Sequence, residues 1–154
     1  MRLTEVDART FSRSPIGRFF RGRAMVAFCF DDRLMGTSFV GELERDEMDM
    51  LLPIGHSTTV MKSFSTLLDM RHLRGFPARQ WIDDTLQFAR NTKPNLTRNV
   101  ALLPTDFETR VKVEGLLRLF PSPWEQQVAH TLRAALRGLV RGSTRPYELE
   151  IARV

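Results

Sequence analysis

Arg71, His72, Arg74 and Arg79 form the densest group in the chain that could handle an anion. Gly75 and Pro77 stand among them, so the group reads as a basic turn between an apolar run and a helix. Ligands of open α/β sheets sit at the carboxyl ends of strands, and helix N-termini favour negative charge. These four residues are therefore the candidate site for a small anion or an acidic partner. A second basic group, Arg133, Arg137 and Arg141, recurs every four residues with no acid between Gln126 and Arg145. Like charges at that spacing on a helix repel by a few tenths of a kcal/mol per neighbouring pair. An acidic partner would relieve the repulsion, which makes this row a candidate docking face.

The other reactive residue types do not assemble into catalysis. His56, His72 and His130 are isolated, and neither CxxC nor HExxH occurs. Gly36 to Gly41 (GTSFVG) has the wrong spacing for a nucleophile elbow, and glycine-rich phosphate loops are missing. Glu42, Glu44, Asp46, Glu47 and Asp49 form an acidic row without an interleaved histidine, which fits a solvated helix face better than a metal site. Cys29 stands alone, so an intrachain disulfide is excluded and a core position is expected. The expectation is a protein that is not an enzyme and uses no metal or cofactor.

The elements that must position the basic groups follow from periodicity. Thr66, Leu67, Leu68 and Met70 form a short run suited to a strand covered on both faces. Ala78, Trp81, Ile82, Thr85, Leu86 and Ala89 then recur at three- and four-residue spacing, a helix with one apolar stripe. Leu68 and Trp81 are expected to be largely buried. Arg23 to Phe30 and Leu34 to Val40 read as a hairpin around Asp31, Asp32 and Arg33. Glu42 to Leu52 reads as a short helix stopped by Pro53, and Asn99 to Leu103 as a strand. Asp106 caps a helix reaching Phe120, with Val113, Leu116 and Leu117 on one face. Gln126 to Ala129 reads as an edge strand, and Leu132, Ala135, Leu136, Leu139 and Val140 mark a last helix. The order predicts an α/β fold: a mixed sheet of four to five strands, an antiparallel hairpin followed by alternating strands and helices, with about four helices over it. Residues 1–22 read as an arm, 23–140 as the domain and 141–154 as a tail or truncated linker.

With 154 residues and 42% apolar content, the chain is one domain long and can bury its own core. It has neither an apolar run of membrane-spanning length nor the apolar core of a secretory signal, so it reads as cytoplasmic with no membrane partner. The net charge of +5 invites a nucleic-acid reading. Arginine makes up nearly all the basic residues, however, with only Lys62, Lys93 and Lys112 as lysines, a bias that a GC-rich genome produces without selection for binding. A nucleic-acid-binding protein using the arginine-rich termini is the alternative function.

The PIGRFFRGRAMVAF opening, RLMGTSFVGELERDE, LLDMRHLRGF, RNVALLP and EGLLRLFPSPWEQQVAHTLRAAL together resemble the STAS-like (SpoIIAA-like) fold of anti-sigma factor antagonists. More narrowly, they resemble the N-terminal domain of myxobacterial AraC-type transcription regulators. The resemblance covers roughly Pro15 to Val140. It implies a non-catalytic regulatory or sensory domain that senses a ligand or docks a protein, linked to transcription regulation. Nucleic acid would be met mainly through a downstream domain, and a homodimer is compatible with this reading. Antagonists of this fold carry a phosphorylated Ser or Thr at the start of the helix after the central strand, whereas Met70 to Asp84 contains neither.

Overall fold

The computed structural model describes residues 2–50, 63–77, 79, 81, 83, 96–119 and 125–140. Its centre is a parallel pair: β4 (Leu34–Glu42) lies beside β5 (Phe64–Gly75), from Leu34 opposite Ser65 to Glu42 opposite Gly75. Around the pair, β1 (Thr4–Glu5), β2 (Arg18–Arg21) and β3 (Met25–Cys29) lie on one side, and β6 (Leu96–Leu102) and β7 (Glu125–Ala129) on the other. The seven strands stand in sequence order. β2–β3 and β3–β4 are antiparallel, while β4 through β7 are parallel.

The expected mixed α/β sheet is present, with seven strands in place of four to five. The two additional strands come from the stretch read as an arm. β1 has two residues and pairs with β2 in parallel, and β2 is RFFR, too short and too basic to show a period-two pattern. Between them α1 (Ala8–Arg13) starts at Asp7, whose side chain accepts from Thr10 N at 2.8 Å. The helix turns Phe11 inward against Phe20, with ring centroids 5.3 Å apart and both side chains buried.

Alternation along the strands separates two apolar clusters, one on each face of the sheet. The larger holds Phe11, Phe20, Met25, Met35, Phe39, Phe64, Met70, Leu73, Ala101 and Val113. It lies under α1, α2 (helical over 45–50), α3 (Arg79, Trp81 and Asp83 helical) and α4 (Phe107–Leu119). The smaller holds Phe28, Phe30, Leu34, Leu67, Val100, Leu102 and Ala129 beneath α5 (Leu132–Val140). Leu68 and Trp81 are half-buried rather than largely buried. Trp81 rests between the rings of Phe76 and Phe39, at 5.0 and 5.8 Å, at the border of the larger cluster.

Of the acidic row expected on a solvated face, Glu47 is inside. It is 2% exposed, and its carboxylate accepts from Arg23 N and from Ala24 N, the latter at 2.8 and 3.0 Å. Those amides lie in the turn between β2 and β3, outside the ladder, so a carboxylate delivered by α2 satisfies them.

Candidate functional site

β5 runs on to Gly75, so the basic residues expected in a turn belong to a strand. The reason lies in β4. Val40 and Gly41 pair with His72 and Leu73, and Leu43 N donates to Gly75 O at 2.9 Å, which holds this end of β5 extended. A register shift between Ser38 and Val40 sets Phe39 against both Met70 and Arg71. Beyond the bulge, His72 and Arg74 are exposed on either side of buried Leu73.

Arg71 is turned to a different purpose. Its Nε and Nη2 donate to Asp69 Oδ1 and Oδ2 at 2.9 and 2.7 Å, a two-pronged pair with both partners largely withdrawn from water. That bond holds the Arg71 proton more tightly than usual, against the opposing effect of burial. Arg71 O accepts from Thr105 N at 3.1 Å and Thr105 Oγ1 at 2.9 Å, which ties the loop after β6 to β5. Next to Thr105, Asp106 Oδ2 accepts from Thr109 Oγ1 at 2.6 Å and Thr109 N at 3.0 Å, the expected cap. These bonds, and more weakly the charge of Arg74, hold the Asp106 carboxyl below its usual range. His72 and Arg74 thus share one strand end near the start of α4, while Arg79 is exposed on the first turn of α3.

α5 presents the second basic group. Thr131 Oγ1 accepts from Ala134 N at 3.1 Å, and Ala135 and Leu139 are buried with Leu132 and Leu136 packed beside them. Arg133 and Arg137 are exposed, one turn apart, and no ion pair to either is found among the described residues. Arg141 lies outside the described residues, as does His56.

Cys29 is fully buried, and its Sγ donates to Asp31 O at 3.1 Å. Burial, with the charges of Asp31 and Asp32, pushes the thiol up to about 12. The GTSFVG stretch is interior β4, with Gly36 covered by Phe28 and β5. Sequence reasoning missed Asp69 as the partner of Arg71; an acid two residues before an arginine on a strand was the available signal, since both then point to one side.

No protein-family model matches the chain, and no curated protein does. Among solved structures, the chain is similar to an uncharacterised protein of the DUF3478 family with a SpoIIAA-like fold from Shewanella loihica PV-4. The TM-score is 0.52 at 16% identity, over 79% of this chain and 90% of that one. The fold is thus SpoIIAA-like, the fold of STAS-like domains, as the sequence resemblance implied. No helix among the described residues is long and apolar enough to cross a membrane.

Proposed function

We propose that this protein is a non-catalytic regulatory domain that docks an acidic protein segment on the arginine face of α5, in the setting of transcription regulation. The observation that carries the reading is the exposed pair Arg133 and Arg137, set opposite Ala135 and Leu139, with no described carboxylate paired to either. α5 is anchored by its apolar side, which holds Arg133 and Arg137 outward in a fixed arrangement. The myxobacterial regulator resemblance supports the regulatory setting, because in such proteins this domain precedes a DNA-binding region.

The strand end at His72 and Arg74, with Arg79 nearby in sequence, is a secondary anion or acidic-partner site in the same proposal. Arg71 contributes there by stiffening the edge, since its guanidinium is held by Asp69. The alternative of direct nucleic-acid binding draws less support from the N-terminal arginines. Arg21 faces Glu5 at 3.7 Å, and Arg23 meets Glu44 and Asp46.

The test titrates the protein with a helical peptide carrying glutamates at four-residue spacing and, separately, with duplex DNA. Peptide binding that weakens with salt and is lost in Arg133→Gln/Arg137→Gln/Arg141→Gln, with the melting temperature unchanged or slightly raised, supports docking. Tighter binding of duplex DNA, with log affinity falling steeply against log salt, favours the alternative. Unfolding of the triple variant would show that the row is structural.

A further inference from the structure

α4 turns Thr109, Val113 and Leu117 towards the core and leaves Phe107, Val111 and Gly115 on the opposite side. Phe107 is 79% and Val111 52% exposed, and a Cβ at Gly115 would meet nothing within 4 Å. These three positions follow one another at four-residue spacing, so they form an uncharged seam along the helix. Each flank of the seam carries one ion pair: Glu108 with Lys112 at 3.3 Å and Arg110 with Glu114 at 3.2 Å. An apolar strip bordered by charge has the anatomy of an interface core and rim.

We infer that this seam is a homodimer contact in which α4 packs antiparallel on α4 of a second copy, about a two-fold axis at Val111. The choice of occupant comes from the pattern of the seam. An antiparallel two-fold brings each position before Val111 opposite the equally distant position after it. Phe107 then lies over Gly115 of the second copy, where the missing side chain leaves room for the ring, and Val111 meets its own equivalent. The same operation sets each flank against its own copy running the other way. Lys112 comes beside Glu108 of the second copy on one flank, and Arg110 beside Glu114 on the other, each pair offset by about 3 Å along the axis. The two Lys112 and the two Arg110 meet across the axis at the same offset, so each flank has two attractive contacts to one repulsive. Each copy supplies the large residue, the gap and both signs of charge, so the face complements itself. A partner of one charge sign would match one half of each rim and oppose the other. The surface involved is short, which places the contact among weak, concentration-dependent dimers.

The inference is independent of the arginine face on α5, and its test reads self-association alone. Sedimentation equilibrium of the full chain, from micromolar to near-millimolar concentration, should show a reversible monomer–dimer equilibrium. Gly115→Leu fills the slot for Phe107 while improving helix propensity, at a position where an added Cβ meets nothing inside one copy. It should raise the dimer dissociation constant at least about tenfold, with thermal stability kept or increased. Glu108→Lys and Lys112→Glu should each weaken self-association, and an equimolar mixture of the two should restore it. A wild-type chain that stays monomeric throughout overturns the inference. So does Gly115→Leu dimerising as before, or a mixture that associates no better than either variant alone.

Discussion

At the scale of single residues, the interior is set by a few close approaches that tolerate no change. A Cβ at Gly36 would sit 2.8 Å from Leu67 O and would press into the Phe28 ring, with backbone on one side and a buried ring on the other. Gly36→Ala should therefore destabilise the fold by about 2–3 kcal/mol, measured by urea unfolding. Glu47→Ala strips the acceptor from Arg23 N and Ala24 N, at an expected cost of about 2–4 kcal/mol. A loss under half a kcal/mol would mean that water replaces the carboxylate at that turn. Cys29 should resist thiol reagents at pH 8 in the folded protein and react only on unfolding, because the folded state keeps the thiol protonated. With its value raised in the fold, the preference for the protonated thiol supports the fold fully below the unfolded value near ~8.5 and is lost as pH climbs towards the folded one. Asp106 has the opposite sign. Its lowered value contributes stability above the unfolded value near ~3.9, lost as pH falls through the folded one. The Asp106 cap was legible because Asp, Thr and an apolar run stood in capping order. Glu47 was not, since nothing local distinguishes it from Glu44 or Asp46; its partners are amides more than twenty positions earlier.

At the scale of elements, the sequence served best where an element has one clean face. α5 shows this: Leu132, Ala135, Leu136 and Leu139 fall on one side, and the structure packs all four over Val100 and Leu102. β5 was read short because Arg71, His72 and Arg74 are poor interior residues, and local pattern cannot reveal that β4 continues beside them to Glu42. The same stretch places Trp81 at the rim. It contacts Phe39 and Phe76 while retaining exposure, so Trp81→Ala should cost about 2–3 kcal/mol, short of the figure for a fully buried indole. Calorimetry showing more than about 5 kcal/mol would mean that α3 is packed more deeply than these ring contacts imply. Because Met70 to Asp84 contains no Ser, Thr or Tyr, kinase treatment should place no regulatory phosphate at the start of α3. Phosphate-dependent partner release mapped by mass spectrometry to Ser65 or Thr85 would contradict this.

At the scale of the whole molecule, the described strands follow sequence order, so β1 and β7 stand at the two edges of the sheet. β7 closes one edge of the parallel block, and Arg98 reaches across to Glu125 at 3.0 Å. Towards the other edge, β2 covers β3 over four residue pairs, from Arg18 opposite Cys29 to Arg21 opposite Val26. Gly17 N and Val6 N extend that network, donating to Cys29 O and Phe19 O at 2.9 Å. A chain starting at Arg23 would keep β3 to β7 yet lose these bonds, leaving the β3 edge open along residues 25–29. It would also lose Phe11 and Phe20, each worth roughly 3–5 kcal/mol when a buried phenylalanine is removed. Together those losses rival the 5–15 kcal/mol that separates a typical folded domain from its unfolded state. The truncated chain should therefore be unfolded or aggregating under conditions where the full chain is folded, since an uncovered apolar strand edge is a template for pairing. Circular dichroism and light scattering on the two chains decide the matter. A soluble truncated chain with the melting temperature of the full one would show that β1, α1 and β2 decorate the sheet without supporting it.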